Sequence, residues 1–388
     1  VRKQRIGELF SISKGKKYDE NELNDTNEMV RYIQIDDLRN DENIKMVRKA
    51  ASGVYVTPND ILIAWDGANA GTVGYNLSGI IGSTIAALRP KDNKDCISYI
   101  AMFLQSKSSY LRENCTGATI PHIQKKVLEN IEIPLPTFEQ QKLIADALEK
   151  ARSLIEKRKQ AIAKLDELVH AVFLDMFGDP VGNTKSWKTG KLSDVCTLIT
   201  DGTHHSPEPK TNGVPYVTAK HVKPNRVDFF SNPTYISVSE HTAIYKRCPV
   251  KKGDILYIKD GATTGIAAIN PYDFEFSMLS SLALIKINID LITAQFLVSY
   301  LNDPRVKQVV TNNMSGAAIK RITLAKINEI EMPIPDIDVQ QKYSLIFEQY
   351  QSQKELQMKS LQQLESNFQA LLQKAFKGEL TVKDGVMV

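Results

Sequence analysis

Chemistry needs particular side chains at particular spacings, and few such sets occur in this chain. Cys96, Cys115, Cys196 and Cys248 form no C-x-x-C pair, so they read as free thiols rather than a disulfide framework or a zinc site. His204 and His205 are adjacent. Adjacent residues rarely chelate one ion alone, and no HExxH run or Cys/His cluster supplies further ligands. No metal site is expected. Asn232-Pro-Thr-Tyr235 sets an amide beside an aromatic ring, a pair that could hold an extruded base. Its second proline is missing and no FxGxG cofactor loop precedes it, so a turn before a strand is expected. Glu208-Pro-Lys210 has the E-x-K form of a nuclease centre, without a Pro-Asp pair at a suitable distance upstream. Two glycine-bounded runs, Gly67-Ala-Asn-Ala-Gly71 and Gly261-Ala-Thr-Thr-Gly265, could bring backbone N–H groups to phosphate. A tight turn is the plainer reading, and no GKS or GKT follows to make a P-loop. No catalytic residue is assigned.

The elements that carry these residues occur twice. VYVTPNDILIAWDGANAG at 54–71 matches CPVKKGDILYIKDGATTG at 248–265, an offset of 194. TGATIPHIQKKVLENIEIPLP at 116–136 matches SGAAIKRITLAKINEIEMPIP at 315–335, now at offset 199. EQQKL at 139–143 then answers VQQKY at 339–343, at offset 200. A drifting offset means small loop insertions within one unit of roughly 190 residues, used twice. Each unit opens with short β-type runs and Gly/Pro turns. Asp-Ile-Leu-Ile-Ala-Trp and Asp-Ile-Leu-Tyr-Ile-Lys read as strands before an Asp-Gly turn. Ile97–Leu111 and Leu291–Leu301 read as helices.

Each unit closes with a long helix entered through Pro134 and Pro136, or Pro333 and Pro335. Ile144, Leu148, Ala151, Ile155, Arg158, Ile162, Leu165, Val169, Val172 and Met176 follow steps of four and three, a heptad seam. The copy runs Tyr343, Phe347, Tyr350, Lys354, Gln357, Leu361, Leu364, Phe368, Leu371 and Ala375. The two seams are expected to pair antiparallel, with Arg158 near Gln357 as a polar layer. The alternative is that each helix packs only on its own lobe. Gly178 and Gly378 are stop signals.

The ordered set, found twice, resembles the specificity subunits of type I restriction–modification enzymes, over essentially the whole chain. In the first half the resemblance rests on Asn59-Asp-Ile-Leu62 with Asp66-Gly67, Ile131-Glu-Ile-Pro-Leu-Pro136, Glu139-Gln-Gln-Lys142 and Phe177-Gly-Asp-Pro180. In the second it rests on Ile199-Thr-Asp-Gly-Thr-His-His205, Gly253-Asp-Ile-Leu256, Gly261-Ala-Thr-Thr-Gly265, Ile330-Glu-Met-Pro-Ile-Pro335 and Lys374-Ala-Phe-Lys-Gly-Glu-Leu380. The first lobe departs from the pattern: Ser13-Lys-Gly-Lys-Lys-Tyr18 stands where the second has its DGTHH run.

The resemblance implies an α+β protein, with two similar α/β target-recognition lobes separated by a pair of long helices forming an antiparallel coiled coil, a pseudo-two-fold internal repeat. Its parts would be residues 1–136, the first target-recognition domain, and 137–180, the first spacer helix; then 181–335, the second domain, and 336–388, the second helix and tail. It implies a non-catalytic subunit that reads a bipartite sequence in double-stranded DNA and holds no cofactor. The expected partners are two DNA methyltransferase subunits, which use S-adenosylmethionine, and restriction/translocase subunits, which need ATP and magnesium. A prokaryotic, cytoplasmic setting follows, and neither an apolar leader nor a run of about 18 apolar residues is present to suggest a membrane. The alternatives are a specificity subunit of a related restriction class with split targets, or an adenine DNA methyltransferase.

Candidate DNA contacts are the polar and basic loop residues beside the lobe motifs. In the first lobe these are Lys14, Lys16, Lys17, Tyr18, Asn69, His122 and Gln124. In the second they are Thr203, His204, His205, Lys220, His221, Thr263, Thr264, Lys320 and Arg321. Charge fits this placement. Residues 181–335 carry 18 basic against 13 acidic groups, and residues 1–136 carry 18 against 17, in a chain of net +4.

Overall fold

The computed structural model describes residues 2–18, 28–50, 52–117, 119–312, 321–380, 382, 383, 386 and 387. It divides into two compact units, residues 1–159 with 359–388, and residues 160–358.

In the first unit, strands Phe10–Lys14, Ile85–Pro90, Ile61–Ala64 and Val73–Tyr75 form an antiparallel sheet in that order. Every residue of Ile61–Ala64 is buried, because both faces of the strand are covered. Successive side chains point to opposite faces. Ile61 and Ile63 therefore join a core with Tyr99, Phe103 and Leu128, while Leu62 and Ala64 join a second with Ile33, Val56 and Ile81. The latter comes from a four-stranded sheet, Met46–Arg48, Met29–Ile33, Gly79–Ile81 and Tyr55–Val56. Strand Arg2–Arg5 pairs with Glu132–Leu135 just before the first long helix, which pins the helix entry to the start of the unit.

The second unit repeats this plan. Cys196–Asp201, Leu282–Ile287, Ile255–Ile258 and Ala267–Ile269 form the same sheet order. Ile255 and Tyr257 enter one core with Phe296 and Leu297, and Leu256 and Ile258 another with Val217, Phe229 and Met278. Lys188–Lys191 pairs with Glu331–Ile334, as in the first unit. The predicted helices are shorter than the apolar pattern suggests. Ile97–Leu111 breaks at Lys107 into Ile97–Ser106 and Ser108–Glu113. The second copy starts at Ala294, because the Thr293 hydroxyl accepts the Phe296 N–H at 3.3 Å and caps it.

The long helices span Phe138–Phe177 and Ile337–Lys377, and Gly178 (φ +78°) and Gly378 (φ +77°) end them in the left-handed conformation. They run antiparallel within both units. In the first unit Arg152 lies over the Phe368 ring at 5.9 Å and Lys159 reaches Glu365 at 3.7 Å. In the second Tyr350 and Lys354 both donate to Asp166, and Phe173 and Phe177 stack edgewise on Tyr343. Each helix half also packs on lobe core, so pairing and lobe packing occur together rather than as alternatives. The expected seam residues Ile144, Leu148, Ile155, Arg158, Ile162, Leu165, Phe347, Gln357, Leu361, Leu364 and Phe368 are all buried or half-buried. The face drifts near the ends, where Val169, Phe173 and Phe177 are buried at steps of four. A straight helix of 3.6 residues per turn slips relative to a 3.5 repeat.

One alignment is corrected. Matching the Gln-Gln-Lys letters gives offset 200, yet the structure keeps 199. Gln141 accepts from Cys96 N–H at 2.8 Å and donates to the Pro136 carbonyl at 3.0 Å. Its counterpart is Gln340, which accepts from Thr293 N–H at 2.9 Å and donates to the Pro335 carbonyl at 2.7 Å. Both amides are buried and tie the first turn of each long helix to the N-terminus of the lobe helix Ile97–Ser106 or Ala294–Asn302.

Candidate nucleic-acid interface

The Asp-Gly turn is the centre of the candidate surface in each unit. In the first, Asp66 leaves the strand Ile61–Ala64 and its backbone bridges His122. Its carboxylate takes Lys14 at 2.6 Å and the Nδ1 of His122 at 2.6 Å. Three segments far apart in sequence therefore converge. Burial opposes ionisation of Asp66, but hydrogen bonds from Lys14 and His122 outweigh it and hold the carboxyl below its usual range. Asn69, in the same turn, accepts from Arg39 at 2.7 Å.

In the second unit Asp260 bridges Arg321 in the same way, and accepts from its Nε at 2.9 Å. Lys259, only 5% exposed, lies 3.2 Å from Asp260 and 3.6 Å from Asp201. Asp201 also binds Arg247, and His204 stands 3.4 Å away. The result is an alternating row, Arg247–Asp201–Lys259–Asp260–Arg321, with both arginines mostly exposed at its ends. A cavity of about 530 Å³ opens beside it, lined by Gly202, Thr203, His204, His205, Ala243 and Arg247 among others.

The remaining candidates separate by exposure. Lys14, Lys16, Lys17, Gln124, His204, His205, Lys220, Thr263 and Arg321 are exposed, and Tyr18 and Asn69 half-buried. Tyr18 donates to the Arg48 carbonyl at 2.8 Å and Gln124 to the Asn114 carbonyl at 2.9 Å. His205 sits between Thr203 at 2.7 Å and Glu240 at 2.9 Å. Lys220 donates to Asn232 and Thr234. Lys320 lies outside the described residues.

Three candidates lie inside the lobe rather than on its surface. His221 is 0% exposed: its Nδ1 accepts the Thr218 N–H and its Nε2 meets the Asn232 carbonyl, both at 2.9 Å. Burial pushes its pKa down, and it holds its loop from inside. Thr203 and Thr264 are buried as well, and the Thr264 hydroxyl closes its own turn on the Gly261 carbonyl at 2.7 Å. The glycine runs are turns of this kind. Gly67 and Gly71 (φ +91° and +88°) and Gly261 and Gly265 (φ +95° and +94°) take left-handed conformations. Several of their N–H groups are spent internally, including Ala70 on Gly67 and Gly265 on Ile258. Asn232 is likewise occupied by Lys220 and His221.

The sequence-based candidates omit Arg247 and Lys259, and give the motif aspartates Asp66, Asp201 and Asp260 no place in the site. The repeat held a signal for two of them, since Asp66 and Asp260 match at offset 194. Among the described residues no group of three or more His, Cys, Asp or Glu is arranged to hold a metal, and no helix is long and apolar enough to cross a membrane.

A duplicated lobe on a shared sheet plan, with a basic loop surface and two long antiparallel helices, defines a class of protein. The chain belongs to the type I restriction modification DNA specificity domain family, whose family model matches residues 1–166 and again 184–366. Among its relatives is the type I restriction enzyme MjaVIII specificity subunit of Methanocaldococcus jannaschii, 25% identical, with 98% of this chain and 93% of the relative aligned. The EcoBI specificity subunit of Escherichia coli is 22% identical over 97% of this chain and 85% of its own. The fold matches the crystal structure of the type I restriction-modification S subunit from M. genitalium, with a TM-score of 0.59, 17% identity, and coverage of 97% and 96% of the two chains. DNA sequence specificity in a type I system is thus the chain's function, in preference to the alternative readings.

Proposed function

We propose that each unit reads one half of a bipartite duplex target, that the paired helices set the spacer and dock two DNA methyltransferase subunits, and that the chain itself transfers no methyl group. S-adenosylmethionine belongs to the methyltransferase subunits. ATP and magnesium belong to restriction/translocase subunits that join the same complex in the prokaryotic cytoplasm. The observation that carries this reading is the repeat at atomic detail: one frame, Asp-Gly turn bridged to a basic or imidazole side chain, built twice with different exposed residues. Two related readers suit a duplex whose half-sites are approached on opposite strands. A solved relative was described in terms of complex assembly and conformational transition of the type I R-M system, which supports partner docking.

The test exchanges residues 181–335 for the corresponding lobe of another member, in the complex with the methyltransferase. Mapping methylated adenines should then show one half of the target changed and the other kept. A change in both halves would refute independent reading, and methyl transfer by the purified chain alone would refute the non-catalytic role.

A further inference from the structure

The repeat points to the residue that reads a base in each unit. His122 and Arg321 stand at equivalent positions, offset 199. Both form an isolated antiparallel bridge with the aspartate of the Asp-Gly turn. Both side chains lean on that carboxylate and stay exposed, His122 by 49% and Arg321 by 60%. The frame is kept while the letter differs, which is what two readers of different half-sites require. Motif residues that only hold the lobe behave otherwise: Asp60 and Asp254 keep their identity and their arrangement, each accepting from the N–H three residues back and from a cation of the neighbouring strand, Arg89 or Lys286.

Resting on the proposed two-unit reading, we infer that Arg321 and His122 are the base-reading side chains of their units, positioned by Asp260 and Asp66, and that the half-site of the second unit contains a guanine read by Arg321. Asp260 accepts from the Arg321 Nε, which leaves the Nη pair as a planar fork. Guanine offers two neighbouring acceptors, O6 and N7, in the major groove, and a fork fits both. The buttress matters because a free arginine loses side-chain entropy on binding, and here the carboxylate has already limited it. Asp260 is itself held by buried Lys259, which also touches Asp201. In the first unit the Asp66 carboxylate can only accept, so Nδ1 of His122 donates to it and the Nε2 edge of the ring is left for a base.

The experiment uses the chain in complex with its methyltransferase subunits, with methylated adenines mapped and binding measured on cognate and non-cognate duplexes. Arg321→Gln should lower discrimination at one guanine, in one half of the target, roughly ten- to hundredfold, with the other half unchanged. Arg321→Lys keeps the charge without the fork; it should lose the same discrimination while the salt dependence of binding stays as it was. Asp260→Asn should weaken discrimination at the same position, and His122→Gln should alter only the other half. Should the glutamine variant fail to fold, the lysine variant decides. The inference is overturned if the guanine preference survives both arginine variants, or if the half-site that changes on exchange of residues 181–335 contains no guanine on either strand. It is equally overturned if Arg321→Gln weakens all sequences alike and reduces the slope of log K against log salt by roughly 0.9, the signature of a phosphate contact. A wild-type target in one part would instead refute the two-unit reading, and the arginine variants would still decide whether Arg321 reads a guanine within it.

Discussion

At the scale of single residues, repetition of a letter does not by itself mark a residue that meets DNA. The aspartates of the N-D-I-L and G-D-I-L runs were legible as repeated, but their task is structural. Asp60 caps Thr57 N–H at 2.8 Å and pairs with Arg89 at 3.1 Å, and Asp254 takes Lys251 N–H and Lys286 in the same pattern. His221 shows why polarity alone misleads. It lies in a basic stretch, yet Thr218 N–H donates to its Nδ1, so Nε2 carries the proton and donates to the Asn232 carbonyl. This network fits only neutral imidazole. A second proton on Nδ1 would face an N–H donor in a buried site. The folded-state pKa is depressed below 6.5 chiefly by burial, so the unfolded chain binds more protons in that window. The stabilisation from His221 is therefore full above about pH 6.5 and is lost as pH falls through the folded-state value. Thermal unfolding followed from about pH 8 down to about pH 5 should show a decline that flattens in His221→Gln, whose amide can accept and donate at the same places. Equal slopes in both proteins would remove His221 from the acid response.

At the scale of elements, the strands and long helices were readable because their periods are simple. Ile61–Ala64 and Ile255–Ile258 alternate between two cores, and a run buried on both faces reads as continuously apolar. The long helices were legible from their heptads, whereas the break at Lys107 was not, because the apolar pattern continues across it. The Gln-Gln-Lys register also escaped the sequence: identical letters favoured one alignment, and the buried amides of Gln141 and Gln340 enforce another. Helix termination makes a sharper case. Gly178 has φ +78°, its N–H donates to the Leu174 carbonyl at 2.8 Å, and an added Cβ would lie 2.5 Å from Thr184 Oγ1. That hydroxyl also accepts Asp179 N–H at 3.0 Å. Gly178→Ala should therefore destabilise the second unit by about 2 kcal/mol, combining left-handed strain with loss of the cap. Denaturant unfolding of the variant checks this, and a change within about 0.5 kcal/mol would mean that the turn yields without strain.

At the scale of the whole molecule, duplication was the most legible feature, because three ordered blocks survive in the sequence. What remained hidden was how residues from separate blocks meet, as Lys14, Asp66 and His122 do. No periodicity encodes such convergence; only the folded sheet does. If the paired helices act as the ruler of the proposed function, their length and the target spacer must be linked. An insertion of four residues in one helix alone would put its seam out of step with its partner. A full heptad inserted in both, near Arg158 and Gln357, would preserve the seam and lengthen the pair by roughly 10 Å at 1.5 Å per residue. Along a duplex that is about 3 base pairs at roughly 3.4 Å each. The lobes would also turn about the duplex by roughly a third of a turn, since about 10 base pairs make one full turn, and part of the change would be absorbed by bending. The preferred spacer should therefore grow by about one to three base pairs, with both half-site sequences unchanged. Methylation mapping of the variant measures this directly. A variant that folds, methylates and keeps the original spacer would show that something other than the helices sets the distance.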